Sequence, residues 1–487
     1  FGDRLVTTFG RRYDKTHLRF GTPGVPVNGF APDGIHFDYA LTDGWSATAF
    51  DNGGRTTNIQ FVARPFMNTK YSASLESSGS SGTRFFGSLL NGLSVNYNKS
   101  NSFLPTNPAQ DLFKRLLPNT TGTDKSWGLG LNLFEGKLVI RGTHYDNFQK
   151  DAQTSDMNTV AGRVLRIDFQ TLGAGSPTTL INLYQNAQRW VQFANPSLPI
   201  GSDGNTAEVE KQTKISGANN TFYSNASPPI GATSDIRSVG TELEINVNPN
   251  KYWTVTGSVT DTKSVVQNIS ASLVNWINSR MPVWTTIVDP SITDANALTE
   301  GNPGKLWWKH RYSVAATTPG AASFSATAVT PEDNFNAFVK APFGIMQAQE
   351  GKNNPQVRRY NFRASTSYQL AGLSDNKWLK KTTVGGAVRW EDKAAIGYMG
   401  KQSLPAIITD LDPDRPIYDK SHYYVDLFAS YKTKLFNDKV GTTFKVNVRN
   451  LGENGRLQPV GAFPDGTIHT FRIIDPQQFI FTVTFDL

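Results

Sequence analysis

Residues 479–487 read Phe479-Ile480-Phe481-Thr482-Val483-Thr484-Phe485-Asp486-Leu487, and they carry the clearest signal of the fold. In an extended chain Phe479, Phe481, Val483, Phe485 and Leu487 share one face, with Ile480, Thr482, Thr484 and Asp486 on the other. That period of two marks a strand with unlike faces. Just upstream, Phe444, Val446 and Val448 alternate with Thr443, Lys445, Asn447 and Arg449, so one face is apolar and the other polar or basic. A soluble sandwich buries such an apolar face, whereas a barrel in lipid turns it outward. Alternation by itself leaves both open.

The pattern recurs along the chain. Leu93, Val95 and Tyr97 alternate with Ser94, Asn96 and Asn98; Trp127, Leu129, Leu131 and Leu133 with Gly128, Gly130 and Asn132; Leu243, Ile245 and Val247 with Glu242, Glu244 and Asn246. Val384, Gly386, Val388 and Trp390 follow the same rule, as do Tyr423, Val425, Leu427 and Ala429. Phe134-Glu135-Gly136-Lys137, Asn248-Pro249-Asn250-Lys251 and Leu435-Phe436-Asn437-Asp438 each join two such runs as a tight hairpin. Between hairpins lie long stretches of mixed or helical character: 148–233, 265–309, 319–356 and 393–419. Loops of that length are uncommon in a compact soluble domain, but an outer-membrane barrel puts short turns on one side and long loops on the other. Within them, Ile269 to Trp284 reads as a short helix stopped by Pro282, and residues 77–83 (Ser-Ser-Gly-Ser-Ser-Gly-Thr) as a flexible turn.

Composition agrees. The 487 residues include no Cys, 42 Gly and 11% aromatics, with 38% hydrophobic and 18% charged residues. No segment approaches the ~18 consecutive apolar residues of a membrane-spanning helix. Spanning strands need only about 9 to 11 residues each, and the mean hydropathy of −0.38 permits them. Aromatics gather near strand ends: Trp253 beside Tyr252, Trp307 with Trp308, Trp390, and Tyr423 with Tyr424. Trp253, Trp307, Trp308, Trp390 and Tyr423 are therefore expected at the membrane interfaces.

Nothing points to an enzyme. The chain contains no GxSxG elbow, no P-loop and no complete dinucleotide fingerprint. His17, His36, His144, His310, His422 and His469 are scattered, so no catalytic residue, metal ligand or cofactor is assigned. The excess of Lys and Arg (48 against 40 acidic residues) is dispersed, without the dense run or recognition helix of a nucleic-acid binder.

These residues resemble the carboxy-terminal part of a TonB-dependent outer-membrane receptor. Asp3-Arg4-Leu5-Val6-Thr7-Thr8-Phe9-Gly10-Arg11-Arg12-Tyr13-Asp14 is similar to the family's "gDRL" turn and the glycine–aromatic–arginine strand after it. The stretch from Leu93 to Phe103 resembles its "S-x-Y-x-x-S-x-S-F" strand, and Ser238-Val239-Gly240-Thr241-Glu242-Leu243-Glu244 its "s-x-G-x-E-x-E" strand. Val446-Asn447-Val448-Arg449-Asn450-Leu451 matches the "V-x-N-L" element before the final hairpin. Phe479, Phe481, Val483, Phe485 and Leu487 resemble the terminal strand read by the barrel-assembly machinery, although this one ends in Leu rather than an aromatic residue.

The resemblance covers essentially the whole chain and implies an all-β fold, a large antiparallel transmembrane β-barrel with long extracellular loops carrying short helices. The family expectation is 22 strands. Roughly 13 to 16 segments read as strands here, so residues 1–487 are expected to be a barrel domain that begins several strands in. A plug domain and TonB box are expected upstream. The implied function is TonB-dependent uptake of a scarce nutrient, a siderophore, glycan or similar, in the bacterial outer membrane. Its partners would be outer-membrane lipid, the TonB complex acting through an upstream segment, and a small-molecule or oligosaccharide substrate. Asn96, Asn98, Glu242, Glu244, Lys445, Asn447 and Arg449 are the lumen-facing candidates for substrate contact, with a plain polar lining as the alternative for each. Two other readings stand beside this one, a passive porin-like channel and a soluble β-rich binding or structural protein.

Overall fold

The computed structural model describes residues 3–21, 45–169, 182–224, 226, 228–292, 305–310, 330–401, 411–437 and 439–486; Asp438 and Leu487 lie outside them. In chain order the strands are β1 (Leu5–Gly21), β2 (Trp45–Ala63), β3 (Leu93–Leu104), β4 (Thr120–Leu133), β5 (Leu138–Gln153), β6 (Thr233–Asn250), β7 (Trp253–Gln267), β8 (Tyr360–Gln369), β9 (Thr382–Glu391), β10 (Ala395–Gly400), β11 (Leu411–Tyr418), β12 (His422–Leu435), β13 (Val440–Arg449), β14 (Leu457–Ala462), β15 (Ile468–Ile473) and β16 (Gln478–Asp486). Twelve of them form one antiparallel sheet in the order β1-β2-β3-β4-β5-β6-β7-β8-β9-β12-β13-β16, while β10–β11 and β14–β15 are separate hairpins. The fold is all-β, a wall of twelve strands. Among the described residues its edge strands, β1 and β16, have no second partner.

Turn chemistry sets one rim. Glu135 and Gly136, at φ 58° and 87° and closed by the Lys137 amide donating to the Phe134 carbonyl, form the mirror-image turn whose twist matches a hairpin, and Phe134, Phe436 and Asn437 also take positive φ of 54–55°. Non-glycine residues adopt it at a cost, and the register of the flanking strands holds them there. With 251–252 and 370–381, these turns line the short rim, and all the longer connections but one lie at the opposite rim. The exception is 64–92, which carries α1 (Lys70–Glu76) and α2 (Ser81–Gly92) on the short rim. The stretch expected to be a flexible turn, 77–83, is here the junction of this helical hairpin, and α2 begins at Ser81. Gly87 makes the packing possible, since a Cβ there would lie 2.7 Å from the Glu76 nitrogen.

The hydrophobic core lies outside the sheet. It fills a helical layer on the long rim, built from α3 (Ser155–Asp168), α4 (Leu183–Ala194), α5 (Asp203–Thr213) and α6 (Gly217–Ser224) of the β5–β6 connection, and α7 (Ala271–Thr286), α8 (Pro331–Phe335) and α9 (Ala341–Ala348) of the β7–β8 connection. Met157, Val160, Ala161, Val164 and Leu165 recur at helical spacing on the buried side of α3, and Leu183, Ala187, Trp190 and Val191 on that of α4. Side-chain caps start these helices: Asn182 accepts from the Gln185 amide at 3.0 Å, and Thr330 and Asp333 form a reciprocal capping box.

Two expectations are corrected in this layer. The helix runs on through Pro282 to Thr286 instead of stopping there, because Trp284, fully buried two residues later, anchors its last turn in the core. Trp307 and Trp308 are buried in the same core, Trp308 stacked on Trp284 with ring centroids 5.7 Å apart, and so are not interface rings.

Candidate functional site

Register places residues of opposite strands on the same face, so the two faces of the wall can be followed strand by strand. On one face Asn96 lies opposite Gly128, Gly128 opposite Thr143, and Thr143 opposite Glu242. The neighbouring row sets Arg141 opposite Glu244 and Glu244 opposite Ser258. Farther along the sheet Lys445 faces Ser430 and Thr482, Asn447 faces Phe428 and Ile480, and Arg449 faces Gln478. All seven candidates therefore share the polar face.

They do not share one pocket. Five inter-strand steps separate Glu242 and Glu244 on β6 from Lys445, Asn447 and Arg449 on β13, about 24 Å along the sheet at ~4.8 Å per step. Local contacts support a lining: Asn98 Nδ2 donates to Asp124 Oδ2 at 2.8 Å, and Lys445 Nζ sits 5.1 Å over the Phe428 ring. Gly128 is required by its neighbours, because a Cβ would lie 2.4 Å from the Gly142 carbonyl oxygen and 2.7 Å from Asn96 Oδ1.

The other face carries the apolar positions, and it is uncovered. Leu129 is 52% and Phe481 73% exposed, whereas Asn96, Asn98, Glu242 and Glu244 on the polar face are half-buried. This inverts the pattern of a soluble sheet. The apolar band has aromatic residues at both ends. Toward the short rim, Trp253 pairs with Tyr368, ring centroids 6.2 Å apart, and Tyr431 stacks on Trp378. Toward the long rim, Tyr97 pairs with Trp127, and Trp390 with Tyr423. On β12, Tyr431 and Tyr423 are eight positions apart, about 26 Å along the strand and ~20 Å in height at a 40° tilt.

Two polar clusters that the sequence did not disclose tie the long connections together. Asp168 on α3, fully buried, receives both Arg280 Nε and Nη2 of α7 at 2.8 Å and the Trp284 indole N–H at 2.7 Å, while Arg280 Nη1 donates to the Thr213 carbonyl at 3.0 Å. Near the end of β12, Asp419 accepts from Arg358, from the Ala394 amide at 2.7 Å and from Gln458 Nε2 at 3.3 Å, and lies 3.1 Å from His422 Nε2. Arg456 Nη2 lies 3.2 Å from His422 Nδ1. Because a guanidinium only donates, Nδ1 accepts and Nε2 carries the proton given to Asp419. Burial pushes the Asp419 carboxyl up, but the Arg358, Ala394 and His422 bonds outweigh it and hold it below its ordinary value. In the helical layer the Tyr223 phenol, which donates to the Leu112 carbonyl at 2.6 Å, is pushed up to about 12, first by burial and then by the Asp111 and Asp168 charges. Partners 112, 61 and 39 residues apart leave no local signal in a single sequence. Among the described residues no group of three His, Asp or Glu side chains could hold a metal ion.

A cavity of about 810 Å³ opens at the short rim between the polar face and α2, lined in part by Arg64, Arg84, Arg141, Glu76 and Glu135.

No protein-family model matches the sequence, and no curated protein does. Solved structures do align with it. The ferripyoverdine receptor of the outer membrane of Pseudomonas aeruginosa is 11% identical with a TM-score of 0.41, over 90% of this chain and 34% of that one. The ferric-catecholate import receptor Fiu of E. coli K12 gives 10% and 0.40, over 99% and 42%. BauA, the ferric preacinetobactin receptor of Acinetobacter baumannii, gives 11% and 0.42, over 100% and 41%. The chain thus spans well under half the length of these receptors.

Proposed function

We propose that this wall spans a bacterial outer membrane as part of the barrel of a TonB-dependent receptor that takes up a scarce nutrient, a siderophore, a glycan or a compound of that kind. The observation that carries the reading is the uncovered apolar face, a band ~20 Å tall edged by aromatic rings, close to the ~25 Å of an outer-membrane barrel. On that reading Trp253, Trp390 and Tyr423 sit at the two interfaces, the short turns face the periplasm, and the helical layer stands outside the cell. The polar face lines the lumen, where half-buried Asn96, Asn98, Glu242, Glu244 and Asn447 and exposed Lys445 and Arg449 meet water or substrate. Phe479, Phe481, Val483 and Phe485 belong to the strand offered to the barrel-assembly machinery. The energising contact with the TonB complex would come from the plug and TonB box of the whole receptor.

Hydrocarbon supplies no hydrogen bonds to an open sheet edge, so β1 and β16 need further strands to complete the wall. A soluble sandwich is disfavoured because no second layer covers the apolar face among the described residues. A passive channel differs only in its energetics. The test is fractionation followed by uptake. The protein should resist alkaline carbonate and show heat-modifiable gel mobility, and uptake by the full-length receptor should stop when the proton-motive force is collapsed. Release from membranes without detergent would refute the barrel, and conductance independent of energy would refute the receptor.

A further inference from the structure

Just past the aromatic rim the outward face turns cationic. One outward-facing position beyond Tyr97 and Trp127, about 6.6 Å along the strands, Lys99 lies directly opposite Lys125. Like charges so placed repel across the ladder, with Asp146, the partner of Lys125 on its other side, as the nearest acid in register. Lys263 holds the equivalent place on β7, two residues beyond Asp261, the register partner of Tyr360. The acids at this level are already engaged: Asp146 is gripped by Arg237 at 2.9 and 2.7 Å, and Asp261 by Arg359 at 2.8 and 3.3 Å.

Around Lys263 the surface closes into a cavity of about 560 Å³, with Arg359, Lys352 and Lys393 in its lining and Asp392 its one carboxylate. Lys352 pairs with Asp414 outside it. Lys393 Nζ stands 4.7 Å over the Tyr418 ring, and neither it nor Lys263 has an acidic partner among the described residues. Among the described residues the cavity therefore offers two ammonium groups outside any ion pair against one carboxylate, Asp392, beside a guanidinium held by Asp261 and a tyrosine wall.

We propose that this cavity binds the phosphorylated headgroup of a lipid in the leaflet at the long rim. This rests on the membrane-spanning reading. The position favours lipid over a soluble anion, because Lys263 in its lining stands on the same face as the apolar band, and acyl chains leaving it would run down over Tyr360, Phe362 and Trp390. Charge complementarity selects a headgroup whose phosphate carries net negative charge over a zwitterionic one, in which an ammonium already balances the phosphate.

Native mass spectrometry of the detergent-purified full-length receptor, titrated with phosphatidic acid or phosphatidylcholine, tests the proposal. Phosphatidic acid should be retained preferentially. The double variant Lys263→Gln/Lys393→Gln should weaken its retention about 30-fold, roughly fivefold for each ammonium removed, while Lys251→Gln at the short rim leaves it unchanged. Heat-modifiable mobility checks that the variant is folded. Equal retention by the folded double variant would overturn the proposal, as would displacement of the lipid by inorganic phosphate at matching concentration, which would mark a free-phosphate site. These failures are distinct from that of the functional reading, which would show as a protein leaving the membrane without detergent.

Discussion

Replacing Arg280 with Met tests what joins the two helical connections. Asp168 is fully buried and accepts three hydrogen bonds, two from Arg280 and one from Trp284. Methionine keeps much of the arginine's volume and removes all three guanidinium bonds, including the one to the Thr213 carbonyl. A buried carboxylate left without its cation costs about 3–5 kcal/mol, or roughly 140- to 3700-fold in the opening equilibrium at 1.4 kcal/mol per decade. The loss should be local, since the sheet's ladder hydrogen bonds do not involve these residues. Hydrogen exchange of the folded protein in detergent should therefore show protection of the α3 and α7 amides falling by that factor while β4, β5 and β6 stay protected. The double variant Asp168→Asn/Arg280→Met removes both charges, keeps an acceptor for the Trp284 indole N–H, and should recover to within about 2 kcal/mol of the parent, the remainder being the unpaired Thr213 carbonyl. A single variant costing under about 1 kcal/mol, or a double variant as damaged as the single, would refute the idea that the ion pair fastens the layer.

Three more outcomes are expected. Leu427, midway between Tyr423 and Tyr431 on the uncovered face, should cost about 2–4 kcal/mol as Leu427→Lys, read by urea unfolding in lipid vesicles, whereas Ser430→Lys on the polar face stays near the parent. Gly128→Ala forces a Cβ to 2.4 Å from the Gly142 oxygen, while one at Gly142 meets nothing within 4 Å; the first should lower the unfolding free energy by about 1–3 kcal/mol and the second should not. Asp419 is held below its ordinary 3.8, so the stability it contributes is complete above that value and is lost as pH falls through the lower folded value. Proteolysis of the β14–β15 hairpin, tied to Asp419 through Gln458, should accordingly rise only below about pH 4, and Asp419→Asn should abolish that dependence.

The strands were legible because each carries its evidence locally. Residues 93–97, 127–133, 243–247, 384–390 and 423–429 all fall within strands, and the hairpin at 134–137 falls where the alternation breaks, whereas the turn expected at 248–251 lies at 251–252 because β6 runs on to Asn250. A face can be read from neighbours two positions apart. The seven lumen candidates were legible in the same limited sense: parity put them on one face, but their separation along the sheet depends on strand order.

Aromatic pairs at the ends of segments were ambiguous for the same reason. Trp390 and Tyr423 lie on the uncovered face, while Trp307 and Trp308, equally terminal in sequence, lie inside a helical core. The sequence by itself determined the alternating faces, the tight turns and the all-β class, because strand periodicity and turn conformation are properties of a few consecutive residues. Tertiary structure alone decided that the apolar face is left uncovered, and that two long connections join into one buried core through Asp168 and Arg280. Both depend on contacts between residues far apart in the chain, which a local pattern does not encode.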